Sequence, residues 1–170
     1  MPLRILTAIT LRFLGLGLAL SFAVGLFLSL ALPAAAQDRE VPYWASINTE
    51  ELNMRVGPSM EYRIDWVYRR EGLPVKVVRV VDRWRLIEDS EGTRGWVSSN
   101  LLSLQRGAVV IGEGLAPIRD MPSAGGQLRW NAEPGVVGKL GDCEASWCKI
   151  DIAGRAGWIE QGRIWGAGEP

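Results

Sequence analysis

The stretch Leu52-Asn53-Met54-Arg55-Val56-Gly57-Pro58-Ser59 decides the fold, together with the later segment Gly95-Trp96-Val97-Ser98-Ser99-Asn100-Leu101. Its first five residues alternate apolar and polar side chains, as a half-buried strand does, and Gly57-Pro58-Ser59 ends that strand with turn residues. Between the two segments, Leu73 to Val81 is dense in valine, which packs well on a pleated surface. The pattern predicts a small β module.

The module is repeated further along the chain. Its opening returns as Ala116-Pro117-Ile118-Arg119-Asp120-Met121-Pro122-Ser123, and Gly135-Val136-Val137, Trp147-Cys148-Lys149-Ile150 and Gly157-Trp158-Ile159 follow in the same order, all at an offset of 62 to 64 residues. A constant offset is the signature of an internal repeat, and loops absorb the small drift. We therefore predict two tandem domains, residues 37–103 and 107–166, joined by a linker too short to hold them far apart.

The N-terminal segment predicts export. Arg4 and Arg12 are its only charges before Asp38, the residues from 13 to 32 are apolar, and Pro33-Ala34-Ala35-Ala36 supplies the small residues of a cleavage site. We predict a hydrophobic signal helix in residues 1–36, cleavage after Ala36 and a periplasmic location. The alternative is an inner-membrane anchor formed by residues 13–32, because an apolar run of about 20 residues can span a bilayer.

Composition excludes several classes of function. Removal of Arg4 and Arg12 with the leader would leave 17 of the 19 basic residues and all 19 acidic residues, which gives a net charge of about −2. The basic residues form no cluster, and binding of nucleic acid needs clustered Lys and Arg, so nucleic acid is not an expected partner. The sequence contains no histidine, which removes Cys-His and Ser-His-Asp chemistry and His-ligated zinc. We expect no enzymatic activity, no cofactor and no metal.

The Leu52–Ser59 opening, the strand Trp84-Arg85-Leu86-Ile87 and the closing Gly95–Leu101 segment resemble a bacterial SH3-like (SH3b) domain. The second copy keeps the same frame, and the pair resembles an exported tandem SH3-like protein of Gram-negative bacteria. The resemblance implies an all-β fold of two five-stranded barrels and a role in binding peptidoglycan or its peptides. In eukaryotic SH3 domains the tryptophan to which Trp84 and Trp147 look equivalent lines the proline-peptide groove.

Two other walls of that groove are replaced. Ser98 and Glu160 stand where a proline is usual, and Leu101 and Ile164 stand where a tyrosine is usual. Recognition of proline-rich peptides needs an aromatic-lined groove and is therefore not expected.

Aromatic residues are the candidates for a ligand site. Aromatic side chains stack on peptide and sugar faces, so we predict a groove formed by Trp84, Trp66, Tyr62 and Tyr68 in the first copy, with Trp147 as the counterpart of Trp84 in the second. Trp84 and Ile87 have opposite strand parity, so only one of them can face the core. The competing interpretation is structural: Trp96 and Trp158 close the barrels, and Trp44 and Trp165 pack between modules.

Cys143 and Cys148 flank a predicted hairpin turn, which would set them side by side. In an oxidising compartment such a pair forms a disulfide. A free thiol pair, a redox couple and a metal site are the alternatives.

These observations lead to two functional hypotheses. The first is a non-catalytic exported adaptor that recognises cell-wall peptide, peptidoglycan or a periplasmic protein, with membrane contact only through an uncleaved leader. The second is a structural interaction protein whose aromatic surfaces serve packing between domains or homo-oligomerisation.

Overall fold

The computed structural model describes residues 39–170. The predicted signal peptide, the cleavage site after Ala36 and the alternative anchor of residues 13–32 lie outside the described residues. Within the described part of the chain, no helix is long and apolar enough to cross a membrane.

The first half of the described chain forms one antiparallel sheet of seven strands. The strands are β1 (Tyr43–Ile47), β2 (Leu52–Arg55), β3 (Ile64–Tyr68), β4 (Pro74–Val81), β5 (Trp84–Glu88), β6 (Arg94–Ser98) and β7 (Leu102–Ser103). Their order across the sheet is β3-β2-β6-β5-β4-β1-β7. A 3-10 turn at Ser99–Leu101 precedes β7.

The second half repeats this architecture strand for strand. Its strands are β8 (Gly107–Val110), β9 (Ala116–Arg119), β10 (Leu128–Ala132), β11 (Val137–Glu144), β12 (Trp147–Ile152), β13 (Arg155–Glu160) and β14 (Ile164–Trp165). The order β10-β9-β13-β12-β11-β8-β14 is that of the first sheet, position by position. The predicted all-β tandem fold is confirmed. Each sheet has seven strands where five were expected. The two additional strands are the first strand of each half, β1 or β8, and the two-residue strand that pairs with it, β7 or β14.

Each half has its own hydrophobic core. In the first half the core contains Leu52, Met54, Val77, Ile87 and Val97, all fully buried. These positions follow the strand alternation, because every second side chain faces the same side of a sheet. The second half has a separate buried cluster. The two halves are therefore two modules, called module 1 and module 2 below.

The modules touch closely at their junction. Trp44 of β1 meets Trp165 of β14 edge to face, with ring centroids 4.6 Å apart, and its indole Nε1 donates to the carbonyl of Gly168 at 3.0 Å. A Cβ atom on Gly107 would lie 2.3 Å from the carbonyl oxygen of Gly72, so only glycine fits at that position. The prediction that Trp44 and Trp165 pack between the modules is confirmed.

Candidate functional site

The hairpin of β2 and β3 carries a concentrated group of exposed apolar side chains. We call this group the hairpin surface; its members are Val56, Met60, Tyr62, Ile64 and Trp66, with exposed fractions of 44%, 70%, 47%, 44% and 58%. Strand β3 is also the last strand of its sheet, so its outer edge has no strand beside it within the described residues. Several exposed apolar side chains gathered on one hairpin are the kind of surface that marks interaction sites.

The loop at the tip of the hairpin is held in place by local contacts. Arg55 donates from Nη1 to the carbonyl of Tyr62 at 2.6 Å, which ties the end of β2 to the far side of the loop. The ring of Tyr62 lies over Gly57, where a Cβ atom would come within 2.6 Å of it. The hairpin surface is therefore presented on an ordered loop.

Tyr68 does not belong to this surface, and its prediction as a groove residue is wrong. Only 7% of it is exposed, and its hydroxyl donates to Asp89 Oδ2 at 2.7 Å. In the β2–β3 register it stands opposite the buried Leu52, so it faces the core. Burial raises the pKa of the Tyr68 phenol far above its ordinary value, and the bond to Asp89 raises it further.

Trp84 faces outward on β5. Ile87 is fully buried, so the parity argument assigns Trp84 to the opposite face, where it is half-buried. Its cross-strand neighbours are Val81 on β4 and Ser98 on β6. Two strands, β2 and β6, separate β5 from β3. The structure thus brings Tyr62 and Trp66 together on one hairpin and places Trp84 elsewhere on the module.

Trp147 repeats the arrangement of Trp84 in module 2. It is half-buried, stands opposite Glu160 on β13 and precedes the fully buried Ile150 by three residues. Trp96 and its counterpart Trp158 are also half-buried. Trp96 on β6 stands opposite Arg55 on β2, and Trp158 on β13 stands opposite Arg119 on β9. In each module this register pair joins the hairpin to the rest of its sheet.

The hairpin of module 2 has the same framework but a different surface. Arg119 donates from Nη1 to the carbonyl of Gly126 at 2.7 Å, the same clamp over the same spacing as in module 1. Trp130 on β10 packs against the module's core. The guanidinium of Arg155 lies 4.5 Å from the centroid of its ring. Sequence reasoning missed both clamps, although an arginine at the same position of each copy was a visible signal.

The predicted disulfide is present. Cys143 on β11 and Cys148 on β12 are register partners across the hairpin, with Cα atoms 4.0 Å apart and their sulfurs bonded. Cys148 is buried in the core of module 2, so the bond ties the tip of the hairpin to that core.

A cavity of about 460 Å³ lies where the modules meet, away from the predicted aromatic residues. Four charged residues line it: Glu71, Arg106, Lys139 and Asp151. Arg106 donates from Nη2 to the carbonyl of Gly166 at 2.6 Å, which ties the linker to the C-terminal segment. Burial lowers the pKa of the Arg106 guanidinium, and its Nε has no hydrogen-bond partner within the described residues.

One surface cluster in module 1 is strongly ionic. Glu88 on β5 accepts from Lys76 at 2.7 Å and is also bridged by Arg94. The hydrogen bond from Lys76 lowers the pKa of Glu88 most, followed by that from Arg94.

Among residues 39–170, no three His, Cys, Asp or Glu side chains come together in a way that could hold a metal ion.

The sequence profile of the bacterial SH3 domain matches the chain twice, over residues 48–103 and 112–166. The chain belongs to this family. Each match covers most of one module. We call the protein the tandem SH3 chain from here on.

One curated relative is "Putative N-acetylmuramoyl-L-alanine amidase YrvJ" of Bacillus subtilis (strain 168), 27% identical over 150 residues. The match covers 81% of this chain, but the chain spans only 27% of that protein's length.

Solved structures similar to the tandem SH3 chain include NlpC2 of Trichomonas vaginalis, at 12% identity and a TM-score of 0.33, covering 75% of this chain and 49% of that one. NlpC1 of the same organism matches at 14% identity and a TM-score of 0.32, covering 81% and 50%. An NlpC/P60 family protein of Bacillus cereus ATCC 10987 matches at 12% identity and a TM-score of 0.33, covering 72% and 56%.

The expectation that the protein is not an enzyme is corrected by the curated relative, which bears the name of an amidase. The expectation was drawn from the absence of histidine within these residues. The matched region makes up only 27% of the relative, so the residue types inside that region do not exclude an enzymatic role.

Proposed function

We propose that the tandem SH3 chain is an exported cell-wall-binding unit of a cell-wall-hydrolysing system, and that it binds cell-wall peptide through the hairpin surface of module 1. The observation that carries the proposal is the exposure of Tyr62, Ile64 and Trp66 on one ordered hairpin. Aromatic side chains on an ordered surface provide large contact area at low entropic cost, and they recur as binding hot spots.

Three further observations support the cell wall as the target. The curated relative is named for an amidase that acts on N-acetylmuramoyl-L-alanine. Residues 1–36 have the composition of an export signal. The disulfide Cys143–Cys148 suits an oxidising compartment outside the cytoplasm.

Binding to purified peptidoglycan sacculi tests the proposal, with a matched pair of variants. Ile64 and Leu128 occupy the same register position in the two hairpins, opposite Arg55 and Arg119, and both are about half exposed. Ile64→Ala and Trp66→Ala should weaken binding, Trp66→Ala by about tenfold or more, because loss of a hot-spot residue costs about 2 kcal/mol or more. Leu128→Ala should bind like the wild type.

Three results would refute the proposal. The first is that the wild type is not retained on sacculi. The second is that Ile64→Ala and Leu128→Ala weaken binding equally, since the hairpin surface of module 1 would then have no special role. The third is a loss of binding confined to Trp84→Ala, which would move the site to the outer face of β5.

The competing hypothesis, that the aromatic surfaces serve packing, has support at the junction, where Trp44 contacts Trp165. It would extend to the hairpin only if that surface became buried between copies of the chain. Light scattering after size-exclusion chromatography decides this: a dimer that Trp66→Ala converts to a monomer would favour packing over ligand binding.

A further inference from the structure

Each of the two hairpins carries a tryptophan at the same register position, but the surroundings of the two indole rings differ. Trp66 stands opposite Met54 on β2, and Trp130 stands opposite Ile118 on β9. Both facing residues are fully buried core residues. The two indoles are therefore equivalent, and each copy serves as an internal reference for the other.

Module 2 supplies a cation for its own tryptophan. The Arg155 guanidinium lies 4.5 Å from the centroid of the Trp130 ring, within the distance at which a cation is attracted to an aromatic face. Trp130 is partly buried against the core. Arg155 lies two residues before Gly157, which pairs with Ile150.

Module 1 has no such cation. The residue two before Gly95, the glycine that pairs with Ile87, is Thr93. Within the described residues no cation lies over the Trp66 ring, which is 58% exposed.

The neighbouring turn is also more acidic in module 1 than in module 2. The turn between β12 and β13 of module 2 contains no charged residue before Arg155, whereas the turn between β5 and β6 of module 1 contains Asp89 and Glu91 before Arg94, which is paired with Glu88. Asp89 accepts from the hydroxyl of Tyr68, two residues from Trp66, so this acidic turn contacts the C-terminal end of the strand that carries Trp66. An uncovered aromatic face on a strand that an acidic turn contacts suits a positively charged group.

We propose that the Trp66 ring of module 1 is a binding site for an ammonium group, supplied by a free amine of cell-wall peptide. The inference rests on the proposed function for the source of the amine. The ligand cation occupies in module 1 the place that Arg155 occupies in module 2. Peptide strands that are not cross-linked carry free amines, so the site would distinguish open from cross-linked wall.

The test compares sacculi whose amines are free with sacculi acetylated by acetic anhydride. Acetylation should weaken binding of the wild type by about two- to fivefold, which is the range that a cation over an exposed ring contributes. Trp66→Ala should bind both preparations equally. Thr93→Arg should bring a guanidinium to the ring, as in module 2, and reduce binding of unmodified sacculi to the acetylated level, whereas the uncharged control Thr93→Gln should not.

The outcomes separate this inference from the proposed function. If the wild type binds both preparations equally while Trp66→Ala is weakened on both, the ammonium site is refuted and the proposed function stands. If the wild type binds neither, the proposed function fails, and NMR titration with Nα-acetyl-lysine amide decides the site. A shift of the Trp66 indole N–H resonance in the wild type but not in Thr93→Arg would support the site, and no shift would refute it.

Discussion

Replacing Gly107 by alanine tests whether the two modules are held together as closely as the structure shows. The added Cβ would lie 2.3 Å from the carbonyl oxygen of Gly72, whereas Cβ contacts below 3.0 Å essentially never occur. The obstacle is backbone rather than a flexible side chain. Gly72 is itself fixed by a 2.8 Å hydrogen bond from its N–H to the carbonyl of Ile47. The modules would therefore have to separate by several tenths of an ångström.

Forced repacking of this kind costs about 1–3 kcal/mol. With a urea dependence of about 2 kcal/mol per molar for a small protein, the unfolding midpoint of Gly107→Ala should fall by roughly 1 M. Gly162→Ala is the matched control, because a Cβ there would meet no atom within 4 Å. The assay is urea unfolding followed by circular dichroism. Coincident midpoints for the two variants would refute the close junction.

Three further predictions concern stability. Tyr68→Phe removes the 2.7 Å hydrogen bond of a buried hydroxyl and should lower the free energy of unfolding by about 1 kcal/mol, whereas Tyr62→Phe on the exposed loop should leave it unchanged within error. Reduction of the Cys143–Cys148 bond should cost about 2 kcal/mol in the chain-entropy model, measured by thermal unfolding with and without dithiothreitol, and an unchanged melting temperature would count against a structural role. The fold lowers the pKa of Glu88, so its ionised form stabilises the protein above the ordinary glutamate pKa of about 4.3, and this contribution is lost as the pH falls through the lower folded value. Unfolding curves should therefore show Glu88→Gln less stable than the wild type at neutral pH and the difference shrinking below about pH 4; a constant difference would contradict the ion-pair assignment.

The repeat and most of the core could be predicted from the sequence because both depend on local periodicity. Leu52 and Met54 alternate with polar neighbours and are buried. The parity argument allowed only one of Trp84 and Ile87 to face the core, and the structure shows that it is Ile87. The disulfide followed from the geometry of a hairpin with a tight turn.

The burial of Tyr68 could not be predicted in the same way. The segment from Met60 to Tyr68 has neither a clean helical nor a clean strand period, so the sequence alone gives no face for this residue. A tyrosine near exposed aromatic residues was therefore assigned to the surface, whereas the facing Leu52 and the acceptor Asp89 place it inside.

Contacts between residues distant in sequence were also beyond local patterns. Nothing near Trp130 indicates that Arg155 covers its ring, because the two meet only through the order of strands in the sheet. The cavity at the junction likewise depends on how two modules pack. The placement of Tyr62 and Trp66 on one hairpin, with Trp84 on β5, which two strands separate from β3, likewise required the structure.

The claim that the hairpin of module 1 is the binding surface is tested most directly by NMR titration of the described chain with a soluble peptidoglycan fragment. The account predicts chemical-shift changes concentrated at Tyr62, Ile64 and Trp66, with the equivalent positions Gly126, Leu128 and Trp130 of module 2 unchanged. Equal changes in both hairpins, or changes confined to the residues that line the junction cavity, would contradict it.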